Sequence, residues 1–469
     1  MAWDDALLRS IQYRYTGIPH LGQRIVTVIS ELAAFVAGAK ASELPPAQRE
    51  RLRLHLTDTV IAAVAGARIP EGQALRALGG ESDLASQIGR QAAAARLTEI
   101  DDIHLASCTT PSAGVVPVAL PIAAYLRQFD PDEIASAIWI GTELTTRFGL
   151  AINGPQVLYR GIWPTYLAAP VGAAAVAVRM LGLDETRTAH ALSLALMLVA
   201  GGVGRIHGAP SGRWFLYANA VTGGVAAALA AQAGYTGDPE LLDKSWLGDT
   251  HGIALDREVL TGALGASSVY SALSMKPFCS AKQGVAAVEA FRTLLQEGVR
   301  IDAIEKVRVR VPKAYTAMIA TRAVPGARQS TMVSVPHQIA LAALAPQRLY
   351  DVDRSTPQAD AAVAKLSAKI EVVPDAALEQ FYPQHWPAEV EVEAGGQTFR
   401  RRVVAAAGDP EHPLGRAAIE DKAHRVLDPL LGAARVDEWL GLCHGALDGA
   451  AQCERLAAAF ADAAGKNAG

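Results

Sequence analysis

Through its first three hundred residues the chain shows no alternation of apolar and polar positions of the kind a half-buried strand requires. Apolar residues recur instead at helical spacing, over 26–39, 46–66, 82–95, 114–127, 131–150, 164–181, 184–203 and 217–233, with short Gly- or Asp-containing joints. Alanine and glycine are abundant and aromatic residues make up only 6% of the chain, so these helices are expected to pack closely. Local signals mark their ends. Pro45-Pro46 opens the second helix and Gly66 closes it. Asp130 and Asp184 place acids at helix starts, where the dipole favours them.

The period changes at 273–275. One more helix, over 282–298, precedes a strictly alternating stretch, Lys306-Val-Arg-Val-Arg-Val311, which reads as a strand. A helix is predicted over 334–346. Strands are predicted at 369–373, 388–392 and 398–404, the last two joined by a hairpin turn at Ala394-Gly395-Gly396. Residues 415–463 return to helix. The expected fold class is therefore mainly α: a large, discontinuous all-helical domain (1–272 and 405–469) with an inserted α+β lid domain (273–404). An insertion of this kind leaves a cleft between domains, a common place for ligands.

Composition removes several function classes. A length of 469 residues gives ample core, and a net charge of −4 supplies no basic field for nucleic acid or an anionic membrane. Cys108, Cys279, Cys443 and Cys453 form no CxxC pair and no metal-ligand spacing, which fits a reduced, cytoplasmic protein without a bound metal. The N-terminus, MAWDDALLRS, does not read as a signal peptide. The apolar stretch 166–181 contains Pro170 and Arg179, and 191–204 is too short to span a bilayer, so both are expected to be buried helices.

The densest chemistry lies between residues 96 and 120. Glu99, Asp101, Asp102 and His104 fall within six residues, before a turn-like Ser-Cys-Thr-Thr-Pro-Ser and an apolar helix start. Ionisable groups held this close suit general acid–base catalysis. A capped helix end with solvated acids is the plainer reading and stands beside it. Asp102 is the favoured acid/base, with Glu99 as its partner. His104 titrates near neutrality when unperturbed, so it is a candidate proton carrier or simply a polar loop residue.

Other candidates are scattered. Lys276 precedes Pro277 at an irregular joint, where it would bind a carboxylate or sit as a surface lysine at a hinge. The segment 204–217, GRIHGAPSGRWFLY, carries His207 and Arg213 among glycines. A guanidinium there suits a bidentate carboxylate grip, and a structural turn is the alternative. His337 follows Pro336 at a helix start, facing either the cleft or solvent. Trp163 is a pocket wall or a core residue. Cys279 and Lys282 lie beside Lys276, yet no base–nucleophile–orienter set accompanies the thiol.

Several blocks, in order, resemble the MmgE/PrpD family, which includes 2-methylcitrate dehydratase, cis-aconitate decarboxylase and iminodisuccinate epimerase. The blocks are Pro45-Pro46 to Asp58-Thr-Val-Ile-Ala-Ala-Val-Ala-Gly66, Asp101-Asp102 to Pro111-Ser-Ala-Gly-Val-Val-Pro117, Gly161-Ile-Trp-Pro-Thr165 with Leu181-Gly-Leu-Asp184, Gly234-Tyr-Thr-Gly237 and Met275-Lys-Pro-Phe278. The resemblance runs from about residue 30 to 455. It implies a helical domain with an α+β lid, a homodimer, no metal or organic cofactor, and small di- or tricarboxylate substrates. The chemistry it implies acts at the carbon next to a carboxylate.

The departures from the pattern are specific. Glu99 stands where the family has a further Asp. Thr110 and Trp163 stand where it has His. Arg213 stands for a Lys and His337 for a Tyr. No residue among Cys279–Gln283 replaces the His that follows the K-P-[YF] block. Lys276 and the Asp101/Asp102 pair are retained. The resemblance implies a lyase dehydrating or hydrating a polycarboxylate such as 2-methylcitrate; Asp102, Lys276 and His337, together with His104, which the family pattern lacks, are the candidates for catalytic roles. Glu99, Asp101, Thr110, Trp163, His207, Arg213 and Lys282 would bind substrate. The lost imidazoles raise two alternatives: an isomerase, epimerase or decarboxylase on another acid, and a ligand-binding protein without catalysis.

Overall fold

The structure, a computed structural model, describes residues 26–78, 83–199, 211–266, 268–324, 327–354 and 361–465. Helix α1 (Val28–Gly38) starts in a reciprocal cap between Thr27 and Ser30. Helix α2 (Pro46–Gly66) begins with proline in its first turn, where the missing N–H costs nothing. Then come α3 (Pro70–Ala77), α4 (Leu84–Leu97), strand β1 (Ile103–His104), α5 (Ser112–Leu126) and α6 (Pro131–Ala151). Helices α7 (Gly154–Leu158), α8 (Pro164–Met180), α9 (Glu185–Met197) and α10 (Gly212–Gln232) follow. Asp83, Asp130 and Asp184 each accept backbone N–H bonds at the starts of α4, α6 and α9. Short helices α11 (Trp246–His251) and α12 (Arg257–Thr261) lead to strand β2 (Leu273–Ser274).

Helices α2, α4, α5, α6, α8 and α10 pack on one another at the centre. Small residues permit the close approach: a Cβ on Gly172 of α8 would stand 1.9 Å from Thr145 Oγ1 of α6. Among the described residues, α10 alone is long and apolar enough to cross a membrane by length and composition. It packs here against α4 and α8, with 56% of its most apolar window buried.

The second layer comprises α13 (Lys282–Gln296), β3 (Ile304–Val311), α14 (Lys313–Ile319), α15 (Arg328–Val333), α16 (Val335–Leu344), α17 (Ala361–Ala368), β4 (Ile370–Pro374), β5 (Ala388–Ala394) and β6 (Gln397–Val403). The strands form one sheet in the order β4-β3-β5-β6, with β3/β4 parallel and the other pairs antiparallel. Val307, Val309 and Val311 are buried on one face, with α13 packed against β5 and β6. On the other face Arg308 and Arg310 lie 3.1 and 3.2 Å from Glu391. The β5–β6 hairpin closes on Gly395 and Gly396, with φ of 58° and 73°, values that glycine adopts without strain. The chain ends in α18 (Arg416–Leu431), α19 (Ala433–Gly445) and α20 (Ala450–Gly465).

The mainly α class with a small α+β layer is thus observed. Three local expectations change. The helical half contains β1, which pairs with β2 through Ile103↔Ser274 and His104↔Leu273; two residues are too few to show an alternation. From Gly212 onward the segment expected as a loop is already α10, so Arg213 sits in a first helical turn. The C-terminal return is three helices, interrupted at Gly432, whose φ is 80°. Among the described residues two large buried apolar clusters result, with a small third of Leu54, Met275 and Ile419. One is built mainly from α1–α10 and α18–α20. The other runs from Phe278 to Ala406 and takes in Ile103, Leu105, Cys108 and Leu158. Trp163 packs against both. All four cysteines are buried free thiols.

Candidate active site

The two-residue pairing of β1 with β2 sets up the site. It brings the turn between α4 and β1, which carries Glu99, Asp101 and Asp102, against the segment that carries Lys276. Within that turn Glu99 adopts φ of 53°, and Cys108 beyond it adopts 54°. Left-handed backbone is uncommon for such residues and concentrates at functional sites. The Glu99 carbonyl accepts the Ser280 N–H at 3.3 Å, which helps hold the turn.

Five charged side chains converge there. Lys276 Nζ donates to Glu99 Oε2 at 2.9 Å and lies 3.5 Å from Asp101 Oδ1. Arg213 Nη2 donates to Glu99 Oε1 at 2.7 Å. Arg96 Nη1 reaches both Asp101 oxygens at 2.7 and 2.5 Å, and its Nη2 lies 3.9 Å from Glu99. Arg96, Glu99, Asp101 and Lys276 are all buried. Three cations therefore face two carboxylates, leaving one positive charge in surplus. The Nε atoms of Arg96 and Arg213 are buried without a protein acceptor.

The two acids titrate in opposite directions. Burial opposes ionisation of Glu99, but Lys276, Arg96 and Arg213 outweigh it and hold its carboxyl well below the usual range. Burial raises Asp101, with the Glu99 charge reinforcing it, in spite of Arg96 and Lys276. Glu99 is the fixed anion of the pair, and Asp101 is the harder of the two to ionise.

A small cavity opens onto this cluster. Its polar end consists of Arg96, Glu99, Arg213, Lys276, Lys282 and Gln283. Its apolar wall includes Leu158, Trp163, Met318, Val333 and Trp386. The Arg213 guanidinium lies between two indoles, 5.1 Å from the Trp163 ring and 4.5 Å from that of Trp214, which fixes its plane. A larger opening lies elsewhere, between α1, α9 and the turn at 238–240. Among the described residues it presents Glu31, Glu185, Asp238 and Glu240 with no lysine or arginine, which disfavours an acid substrate.

Six of the residues singled out from sequence line the cavity: Glu99, Thr110, Trp163, Arg213, Lys276 and Lys282. Lys282 is paired with Asp409 at 2.5 Å. Asp101 stands behind the lining, against Arg96. Asp102 also lies outside the lining: it is 2.8 Å from His55 Nδ1 and accepts from the Ser112 N–H at 3.2 Å and from the Ser112 hydroxyl. His104 Nδ1 accepts from the Ser107 N–H at 3.2 Å, and burial pushes its imidazole down to about 4. His337 is half-buried with Arg354 and Arg348 nearby; burial, then those arginines, push it to about 4, and it does not line the cavity. His207 lies outside the described residues. Burial raises the Cys279 thiol to about 11, so it is no nucleophile at neutral pH.

Sequence reasoning missed Arg96, His55, Asp58, Asp409 and Lys422. A signal existed for three of them. Arg96 ends the buried run Ala92–Ala95, and His55 and Asp58 sit one turn apart on a stretch of α2 that is buried throughout. Charged groups in such positions must have partners.

This arrangement can bind a carboxylate at Arg213 and Arg96, stabilise negative charge that develops beside Lys276, and pass a proton between Lys276 and Asp101. Residues 90–254 match the model of the MmgE/PrpD N-terminal domain, and residues 278–444 match that of the MmgE/PrpD C-terminal domain. A curated Aspergillus oryzae protein, described as a cis-aconitate decarboxylase-like protein, is 26% identical over 242 residues, covering 47% of this chain and 50% of its own length. The chain therefore spans about half the length of that relative.

Proposed function

The chain belongs to the MmgE/PrpD family, and on that premise we propose that it is a lyase, working without metal or organic cofactor, that dehydrates or hydrates a small polycarboxylate such as 2-methylcitrate. The observation that carries this reading is the surplus of positive charge at the polar end of the cavity, with the Nε atoms of Arg96 and Arg213 free of protein acceptors. A substrate carboxylate supplies the missing negative charge. The Cα–H bond beside that carboxylate then breaks, and its electrons delocalise into the carboxylate, where Arg213 and Lys276 stabilise them. The same electrons form the C=C bond as the β C–O bond breaks. The proton taken at carbon passes across the Lys276–Asp101 pair, 3.5 Å apart. A proton from the same pair goes to the departing hydroxide, so water leaves and the enzyme's proton count is restored.

A second reading is decarboxylation of a related acid. Trp163, Trp386, Leu158, Met318 and Val333 favour it, because an apolar wall strips water from a carboxylate and so eases loss of CO₂. The Aspergillus relative carries a description of that chemistry. The bond that breaks differs: loss of the Cα proton leaves a carbanion beside a retained carboxylate, whereas loss of CO₂ leaves the electron pair on the carbon that carried it, which then takes up a proton. Proton NMR in D₂O with 2-methylcitrate, citrate, cis-aconitate and related dicarboxylates separates the two. Gain or loss of water on a tricarboxylate supports the hydro-lyase, and CO₂ release with deuterium at the α carbon supports the decarboxylase. No exchange and no conversion of any acid removes both and leaves a binding protein. The working unit is a homodimer in this reading; light scattering should give a mass about twice 49.2 kDa, and a single-chain mass would exclude it.

A further inference from the structure

Lys422 lies in the C-terminal return of the chain, on α18, and its side chain is buried. Its ammonium reaches three elements that are distant in sequence. Nζ donates to the Lys276 carbonyl at 2.7 Å and to the Ile100 carbonyl at 2.9 Å, and it lies 2.6 Å from Asp58 Oδ1 of α2. Ile100 is the residue between Glu99 and Asp101. The two accepting carbonyls thus belong to the two segments whose side chains meet at the cavity.

We propose that Lys422 is a positioning residue for the reaction: its ammonium clamps the Glu99–Asp101 turn to the Lys276 segment and so sets the spacing between the working carboxylates and the working lysine. The inference rests on the reading that Lys276 and the Glu99–Asp101 turn carry the chemistry. An ammonium has three donors, and here two go to carbonyls while the carboxylate supplies the counter-charge. No neutral side chain of that length offers the same convergence. Asp58 gives the clamp a fixed base, because α2 is buried from Leu54 to Gly66. The same helix supports the turn a second time, through His55 and Asp102 at 2.8 Å. The β1–β2 pairing joins the two segments at 103 and 274, and Lys422 joins them again at 100 and 276. Immediately beyond the second tie the Lys276–Glu99 contact stands at 2.9 Å. A hinge about the β1–β2 pair alone would let that contact open.

Removing only the lysine leaves Asp58 buried and unpaired, which threatens folding. The informative variant is therefore the double D58N/K422M, which removes both charges, with K422R as the conservative comparison. Two readouts are made on the full chain. In the acid that the unaltered enzyme converts, the double variant should lose kcat by about 10- to 100-fold with little change in KM, because a displacement near 1 Å costs about that much. K422R should recover part of the loss. By hydrogen exchange with mass spectrometry, peptides covering 98–104 and 273–279 should exchange about tenfold faster or more, while α6 and α8 keep their protection. Unchanged exchange in both peptides, or loss of protection spread evenly through α6 and α8, would overturn the clamp. If the unaltered enzyme converts no acid, the proposed function fails on its own, and the exchange experiment still decides the role of Lys422.

Discussion

Glu99→Gln is the sharpest perturbation of this site. Glutamine keeps the shape of the side chain and removes its charge. The carboxylate it replaces is buried, accepts from Lys276 at 2.9 Å and from Arg213 at 2.7 Å, and has Arg96 at 3.9 Å. After the change, the buried Arg96 and Lys276 and the partly exposed Arg213 face Asp101 alone. Breaking a buried pair by removing one partner costs about 3–5 kcal/mol, because the remaining charge is left uncompensated. That corresponds to a roughly 10²- to 10⁴-fold change in the unfolding equilibrium at neutral pH. The pH dependence gives the diagnostic sign. Burial raises and the three cations lower the Glu99 pKa, and the net shift is downward from the ordinary 4.5. Its stabilising contribution is therefore present above pH about 4.5 and is lost as pH falls below that toward the folded value. Glutamine does not titrate, so the gap between the two proteins should be widest near neutrality and close as pH falls below about 4.5. Denaturant unfolding of both proteins across pH 3 to 7 measures it. A loss below about 1 kcal/mol at neutral pH, or a gap that does not narrow on acidification, would refute the reasoning.

Two further predictions concern neighbouring residues. Arg213→Ala should raise KM for the converted acid by about 10- to 100-fold with a smaller effect on kcat, since a hydrogen bond to a charged group contributes about 1.5–3 kcal/mol; an unchanged KM counts against the clamp on carboxylate. His104→Gln should flatten the acid side of the stability profile. The folded imidazole is pushed by burial from 6.5 to about 4, so the unfolded chain binds the extra proton between those values and stability falls as pH drops through that window. The loss removed by the substitution is about 3 kcal/mol at most, and a profile unchanged between pH 6.5 and 4 would show that the ring is solvated.

Much of the fold was legible because its signals are local. Pro46 at the first turn of α2, Asp83, Asp130 and Asp184 at helix starts, the alternation of Val307, Val309 and Val311, and the Gly395-Gly396 turn each act within a few residues. The site was legible only in part. Glu99, Lys276, Arg213 and Trp163 could be named, and they do share one cavity. Asp102 and His104 could be named too, yet their positions face buried partners, His55 and Ser112 for the first and Ser107 for the second. Nothing in a run of acids says which of them points inward.

The amino-acid sequence by itself determined the helical and sheet periods, the caps and the mainly α class, and it placed the acids and cations in the chain. Those properties depend on neighbours one turn or one pleat away. Tertiary structure alone decided which charge meets which. Glu99 and Lys276 are 177 residues apart, and Ile100 and Lys422 are 322 apart. Their contacts exist because a two-residue strand pair and a returning helix close the chain on itself. A buried charge takes the partner that packing delivers, and no periodicity along the chain encodes that choice.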